Sequence, residues 1–150
     1  MNTNNIRIWN NVSGKMVSHF TLKEFNNTLG WVILHEKVPY ALEQTREALN
    51  LRYPTWNIQL LITNCTRTRQ QNEALARKRG WADEGGTVSR DSLHLIEYGG
   101  IAVDWVTFSV ARQTYLPAKE VADIAALYFD FVKWYPDGHV HGDFRNLFQN

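Results

Sequence analysis

Ile101-Ala102-Val103-Asp104-Trp105-Val106 is an imperfectly alternating apolar run broken by one carboxylate, and it reads as a strand. Two further strands lie either side of it in sequence. Upstream, Ile58-Gln59-Leu60-Leu61-Ile62-Thr63 is a mostly buried strand that follows a turn at Pro54. Downstream, His139-Val140-His141-Gly142-Asp143-Phe144 follows the turn residues Tyr135-Pro136-Asp137-Gly138. Helical patterns fill the intervals. Val38, Ala41, Leu42, Thr45, Ala48 and Leu49 form the stripe of a core-facing helix. Thr68 to Arg79 reads as a basic-faced helix stopped by Gly80, and Trp81 to Asp91 as an extended loop. Pro117 suits the first position of a long helix through about Trp134, with Val121, Ile124, Ala125, Tyr128 and Val132 facing inward. Thr21 and Glu24 have the spacing of a capping box, which starts a short helix through about Leu29. Few strands and no regular βαβ rhythm predict an α+β fold, a small antiparallel sheet backed by helices. A single domain is expected over residues 20–150, preceded by an Asn-rich, irregular arm over residues 1–19.

Composition narrows the function classes. The chain has 150 residues, of which 44% are hydrophobic and 21% charged, so it can build an ordinary core rather than remain disordered. Sixteen basic residues against fifteen acidic ones lack the basic excess of a nucleic-acid binder. No apolar run approaches the roughly 20 residues of a membrane span. The N-terminus lacks the charged-then-apolar layout of a secretory signal, so synthesis in the cytoplasm is expected. The lone Cys65 excludes an internal disulfide and a cysteine zinc knuckle, and is expected to be a buried spectator.

The histidines carry the chemical interest. His139 and His141 lie two apart on a predicted strand and so project from one face. His94 precedes the strand that carries Asp104. Two histidines and an aspartate from separate elements make a three-ligand N/O set that zinc accepts, with a fourth position open for water. His19 and His35 sit in no such neighbourhood.

The chain also resembles a known family. Ser92-Leu93-His94 with Gly100-Ile101-Ala102-Val103-Asp104 resembles the S-x-H…G-x-A-x-D signature of zinc D-Ala-D-Ala carboxypeptidases and L-Ala-D-Glu endopeptidases, of the hedgehog/DD-peptidase superfamily. Tyr135-Pro136-Asp137-Gly138-His139-Val140-His141-Gly142-Asp143 is similar to that family's closing Y-P-x-G-x-V-H-x-D strand. Ile62-Thr63-Asn64-Cys65-Thr66-Arg67-Thr68 with Asn72, and the opening Phe20-Thr21-Leu22-Lys23-Glu24-Phe25, resemble two further blocks. The four blocks stand in order across residues 20 to 145.

The resemblance implies one zinc held by His94, Asp104 and His141, with His139 moving protons and Asp137 as the rival base. It implies that Arg67 grips a peptide carboxylate and that Asp143 fixes an imidazole from behind. Ser92 either touches substrate or shapes the turn that presents His94. Trp81 or Trp105 is a candidate wall of the cleft. One departure stands out: His94 and Asp104 are ten residues apart where the family has seven, which offers Glu97 as a rival ligand. Position 138, where many relatives carry an acid, is glycine. The implied activity is a monomeric, phage-endolysin-like peptidase that cuts peptidoglycan stem peptides after another protein releases or exports it. The alternative is a peptidase-like module that binds the cell wall without turnover.

Overall fold

The computed structural model describes residues 7–10, 14–27 and 29–148. Strands β1 (Arg7–Asn10) and β2 (Lys15–Thr21) pair antiparallel. Helix α1 (Lys37–Arg52) follows, then β3 (Ile58–Asn64), α2 (Arg69–Arg79), β4 (Ala102–Ser109), β5 (Thr114–Tyr115), α3 (Ala118–Ala125), β6 (Phe131–Trp134) and β7 (Val140–Asp143). The main sheet runs β3-β4-β7-β6, with β5 pairing onto β4, and every pairing in it is antiparallel. The expected α+β class with a small antiparallel sheet is what forms. Among the described residues no helix is long and apolar enough to cross a membrane.

Alternation along β4 divides the sheet into two faces. Val103, Trp105, Thr107 and Ser109 are buried while Asp104, Val106 and Phe108 are only half-buried, as a period of two requires. The inner face packs on α1 and α3, where Val38, Leu42, Leu49 and Val121 are fully covered. Trp105 anchors this core, with its indole stacked on Phe129 at 5.5 Å between centroids. Gly142 lets that ring in, since a Cβ there would stand 2.9 Å from Phe129 Cδ1. The opposite face of β4 is free to present Asp104.

Three local expectations change. The arm expected over residues 1–19 holds two paired strands, β1 and most of β2; residues 1–6 and 11–13 lie outside the described residues. Periodic apolar positions there, Ile8 and Val17, face each other in the register and are buried. Only Leu22–Phe25 are helical after Thr21, as a 3-10 turn, although Glu24 does reach back to the Thr21 N–H at 2.6 Å. The long helix expected from Pro117 to Trp134 stops at Ala125, and Pro117 caps it from one position further out. Beyond it, the β-prone run Phe131-Val132-Lys133-Trp134 gains a full ladder against β7, with Val132 opposite Gly142. Gly138, at φ +100°, closes the β6–β7 hairpin, where Tyr135 N–H donates to His139 O.

Candidate metal centre

Three segments bring ligands to one point on the outer face of the sheet. The β4–β7 register sets His141 directly across from Asp104, and a register shift at the end of β3 sets Asn64 on its other side. His94 comes from a loop that is stapled to the chain after β3. Arg67 N–H donates to His94 O and Ile96 N–H donates to Arg67 O, both at 2.8 Å. The stretch between His94 and Asp104 is accommodated by a 3-10 turn, Ile96–Tyr98, and by Gly99 and Gly100, both at positive φ. Gly100 packs against residues 33–35 so closely that a Cβ would stand 2.5 Å from Ile33 O. Glu97 points elsewhere, into an ion pair with Arg69 at 2.9 Å, and is no ligand in this arrangement.

His94 Nε2, Asp104 Oδ1 and His141 Nδ1 are mutually close: 3.1 Å, 2.9 Å and 3.2 Å separate them pairwise. Ligand atoms about 2.1 Å from a tetrahedral zinc lie about 3.4 Å apart, so the triangle is slightly tighter than one face of such a site. The far side of each ring is committed. His94 Nδ1 lies 2.7 Å from Cys65 O, a carbonyl that only accepts, so this nitrogen carries the hydrogen. His141 Nε2 lies 2.7 Å from Asp143 Oδ2 and donates to it likewise. Both inner nitrogens therefore face the Asp104 carboxylate, each offering a lone pair once it is deprotonated. Three electron-rich atoms in contact require a proton or a metal cation among them.

The ionisation states agree. Burial opposes charge on Asp104, yet the two histidines hold its carboxyl well below the usual carboxylate range. Burial also disfavours a charged His141, but its bonds to Asp104 and Asp143 push it up to about 9. Asp143 is fully buried and still ionised, held at about 2 by His141 and by a bidentate Arg145 at 3.0 and 2.8 Å. Asp143 thus touches the His141 imidazole and the Arg145 guanidinium at once.

A cleft of about 650 Å³ opens beside the triangle and is lined by Asp104, Arg67, Asp137 and His139, among others. Arg67 is held rather than free: its Nε donates to Asn72 Oδ1 at 2.7 Å and an Nη to Ser92 Oγ at 3.0 Å. Burial lowers its pKa, while Asp104 opposes that shift. Ser92 also accepts the His94 N–H at 3.2 Å, so it shapes the His94 turn and braces Arg67 without itself lining the cleft. His139 stacks on Tyr135 at 4.0 Å, and its Nδ1 bonds Asp137 Oδ1 at 2.5 Å. It precedes β7 and stands outside the ligand triangle.

Comparison with family models, with curated proteins and with solved structures gives no match. The site therefore rests on its own geometry. Cys65 is a buried spectator whose thiol is pushed up to about 11 by burial. Trp105 lies in the core, and Trp81 supports Arg90 at 4.5 Å, so neither walls the cleft. The Cys65 carbonyl that orients His94 left no trace in the sequence, because a backbone acceptor has no residue signature. The cleft face of α2 did leave one, in the helical spacing of Gln71, Ala74, Leu75 and Lys78.

Proposed function

We propose that the chain is a hedgehog/DD-peptidase-like zinc peptidase that cuts peptidoglycan stem peptides. The observation that carries the reading is the His94–Asp104–His141 triangle, with both far ring nitrogens already committed and one corner, Asp104, lining a cleft. Its mixed imidazole and carboxylate donors suit zinc, and three protein ligands leave a position free, as in catalytic sites. When bound there, zinc lowers the pKa of a coordinated water toward about 7 and polarises a carbonyl.

The chain's own residues supply the rest. Arg67, its fork fixed by Asn72 and Ser92, presents its remaining N–H groups to a peptide carboxylate and sets the register of the bound stem. His139, tied through Nδ1 to Asp137, keeps Nε2 to take or give a proton at the scissile bond. Asp137 thereby becomes the group that orients His139 rather than its rival. Replacing His139 with Ala should retain zinc and fold while lowering turnover about 100-fold.

The deciding experiment pairs metal analysis with digestion of purified murein, reading released muropeptides by mass spectrometry. One zinc per chain and fragments cut within the stem, both lost in His141→Ala, support the proposal. Protein that binds zinc and murein but releases nothing is the non-catalytic module instead. Protein that takes up no zinc sinks the metal reading altogether.

A further inference from the structure

We infer that Lys78 and Arg79, at the end of α2, form a second anion subsite in the cleft, so that the preferred ligand is a short peptide with two carboxylates. The inference rests on the peptidase reading and names the substrate class for it. Helix α2 buries only Asn72 and Ala76. Its other face, Gln71, Ala74, Leu75 and Lys78, follows the i, i+3, i+4, i+7 spacing of one helix side and lines the cleft, with Arg79 beside it. An apolar middle with cations at its end suits a peptide lying along the helix.

The cations on this wall make no close ion pair, although Arg79 and Asp137 both line the cleft and Arg79 favours that carboxylate's charge. Arg69, Arg90 and Arg145 each pair with a carboxylate, whereas neither Lys78 nor Arg79 has an ion pair among the described residues. Basic residues in a last helical turn also complement the helix dipole, and Arg77, Lys78 and Arg79 all stand there. Arg77, however, does not line the cleft, and the other two do. Arg67, Lys78 and Arg79 all line this one cleft, so a single bound anionic ligand can reach cations at both ends of it. From Gln71 to Lys78 a helix rises about 10 Å, the length of about three residues of extended chain. A carboxylate held at Arg67 and a second about three residues along the same peptide would meet the two ends of this wall.

The test uses synthetic stem peptides of one sequence: both carboxylates free, the proximal one amidated, the distal one amidated, and both amidated. Binding is measured by calorimetry on metal-free protein, for wild type, the double variant Lys78→Gln/Arg79→Gln, and Arg77→Gln as a control. Wild type should bind the dianion about 10-fold more tightly than the distal amide at low salt, with the gap shrinking as salt rises. The double variant should lose that preference and bind the distal amide as wild type does. Arg77→Gln should behave as wild type. The subsite is overturned if wild type does not distinguish dianion from distal amide or binds no peptide. Equal losses on both peptides in the double variant, or an Arg77→Gln loss as large, would overturn it too. Cleavage of the same peptides by zinc-loaded wild type is scored separately: selective binding without cleavage sinks the peptidase reading and leaves the subsite standing.

Discussion

Asp143→Asn separates a residue that serves the metal from one that merely pairs with Arg145. The substitution keeps size and removes the charge, so one amide oxygen must choose between the His141 N–H and the Arg145 fork. In the native chain the Asp143 carboxyl moves from 3.8 to about 2, despite complete burial of its side chain. That shift corresponds to about 2 kcal/mol favouring the folded, ionised form at neutral pH. Because the folded value is the lower one, this stability is fully present above 3.8 and is lost as pH falls through about 2. Urea unfolding of metal-free protein at pH 7 should therefore show the variant less stable by about 2 kcal/mol, and the gap should close towards pH 2. Zinc affinity, read by competition with a chromophoric chelator, should fall by about 10- to 100-fold, the scale seen when the group behind a metal-bound imidazole is removed. Arg145→Ala is the companion measurement. It leaves the His141–Asp143 bond in place, so it should lower stability while changing zinc affinity far less. Wild-type zinc affinity in Asp143→Asn, with only stability reduced, would refute the argument that Asp143 orients His141.

Other outcomes follow from the same geometry. Zinc added to metal-free protein at pH 7 should release about one proton from His141, held at about 9, and almost none above pH 10; calorimetry in buffers of different ionisation enthalpy reads the difference. Gly100→Ala should cost at least about 2 kcal/mol in urea unfolding, because φ is +80° and the new Cβ would meet Ile33 O at 2.5 Å; a change under about 0.5 kcal/mol would mean the loop yields freely. Arg67→Lys should lower kcat/KM about 10-fold or more on acidic stem peptides and less on those amidated at the proximal carboxylate, since an ammonium braced by Asn72 and Ser92 keeps no planar fork for a carboxylate. Equal penalties on acid and amide would leave Arg67 a structural residue.

What was legible in the sequence divides along a physical line. Elements whose pattern matches one environment throughout were readable: the α1 stripe, the β3 run, and the Gly80 stop at the end of α2. The segment from Ala126 to Trp134 was not, because its apolar residues satisfy helical spacing and strand propensity alike. Only the ladder that β7 offers decides between them. The same holds for β1 and β2, where pairing between two short strands supplies order that neither shows alone.

The candidate site was legible as residue types and illegible as roles. His94, Asp104 and His141 could be named from spacing and resemblance, but which nitrogen each ring turns inward depends on Cys65 O and Asp143, and those contacts are tertiary. Ser92 and Asn72 likewise acquire meaning only through the Arg67 fork that both hold. This arrangement has a consequence for how the site forms. The Arg67–His94–Ile96 backbone staple ties the fork and one metal ligand to a single loop junction, while Asp104 and His141 are fixed to each other by strand register. The centre is thus assembled from two stiff halves, one a loop staple and one a strand pair. A cation shared by His94, Asp104 and His141 would bridge the halves directly, so metal binding should stabilise the loop against local opening far more than it stabilises the strand pair.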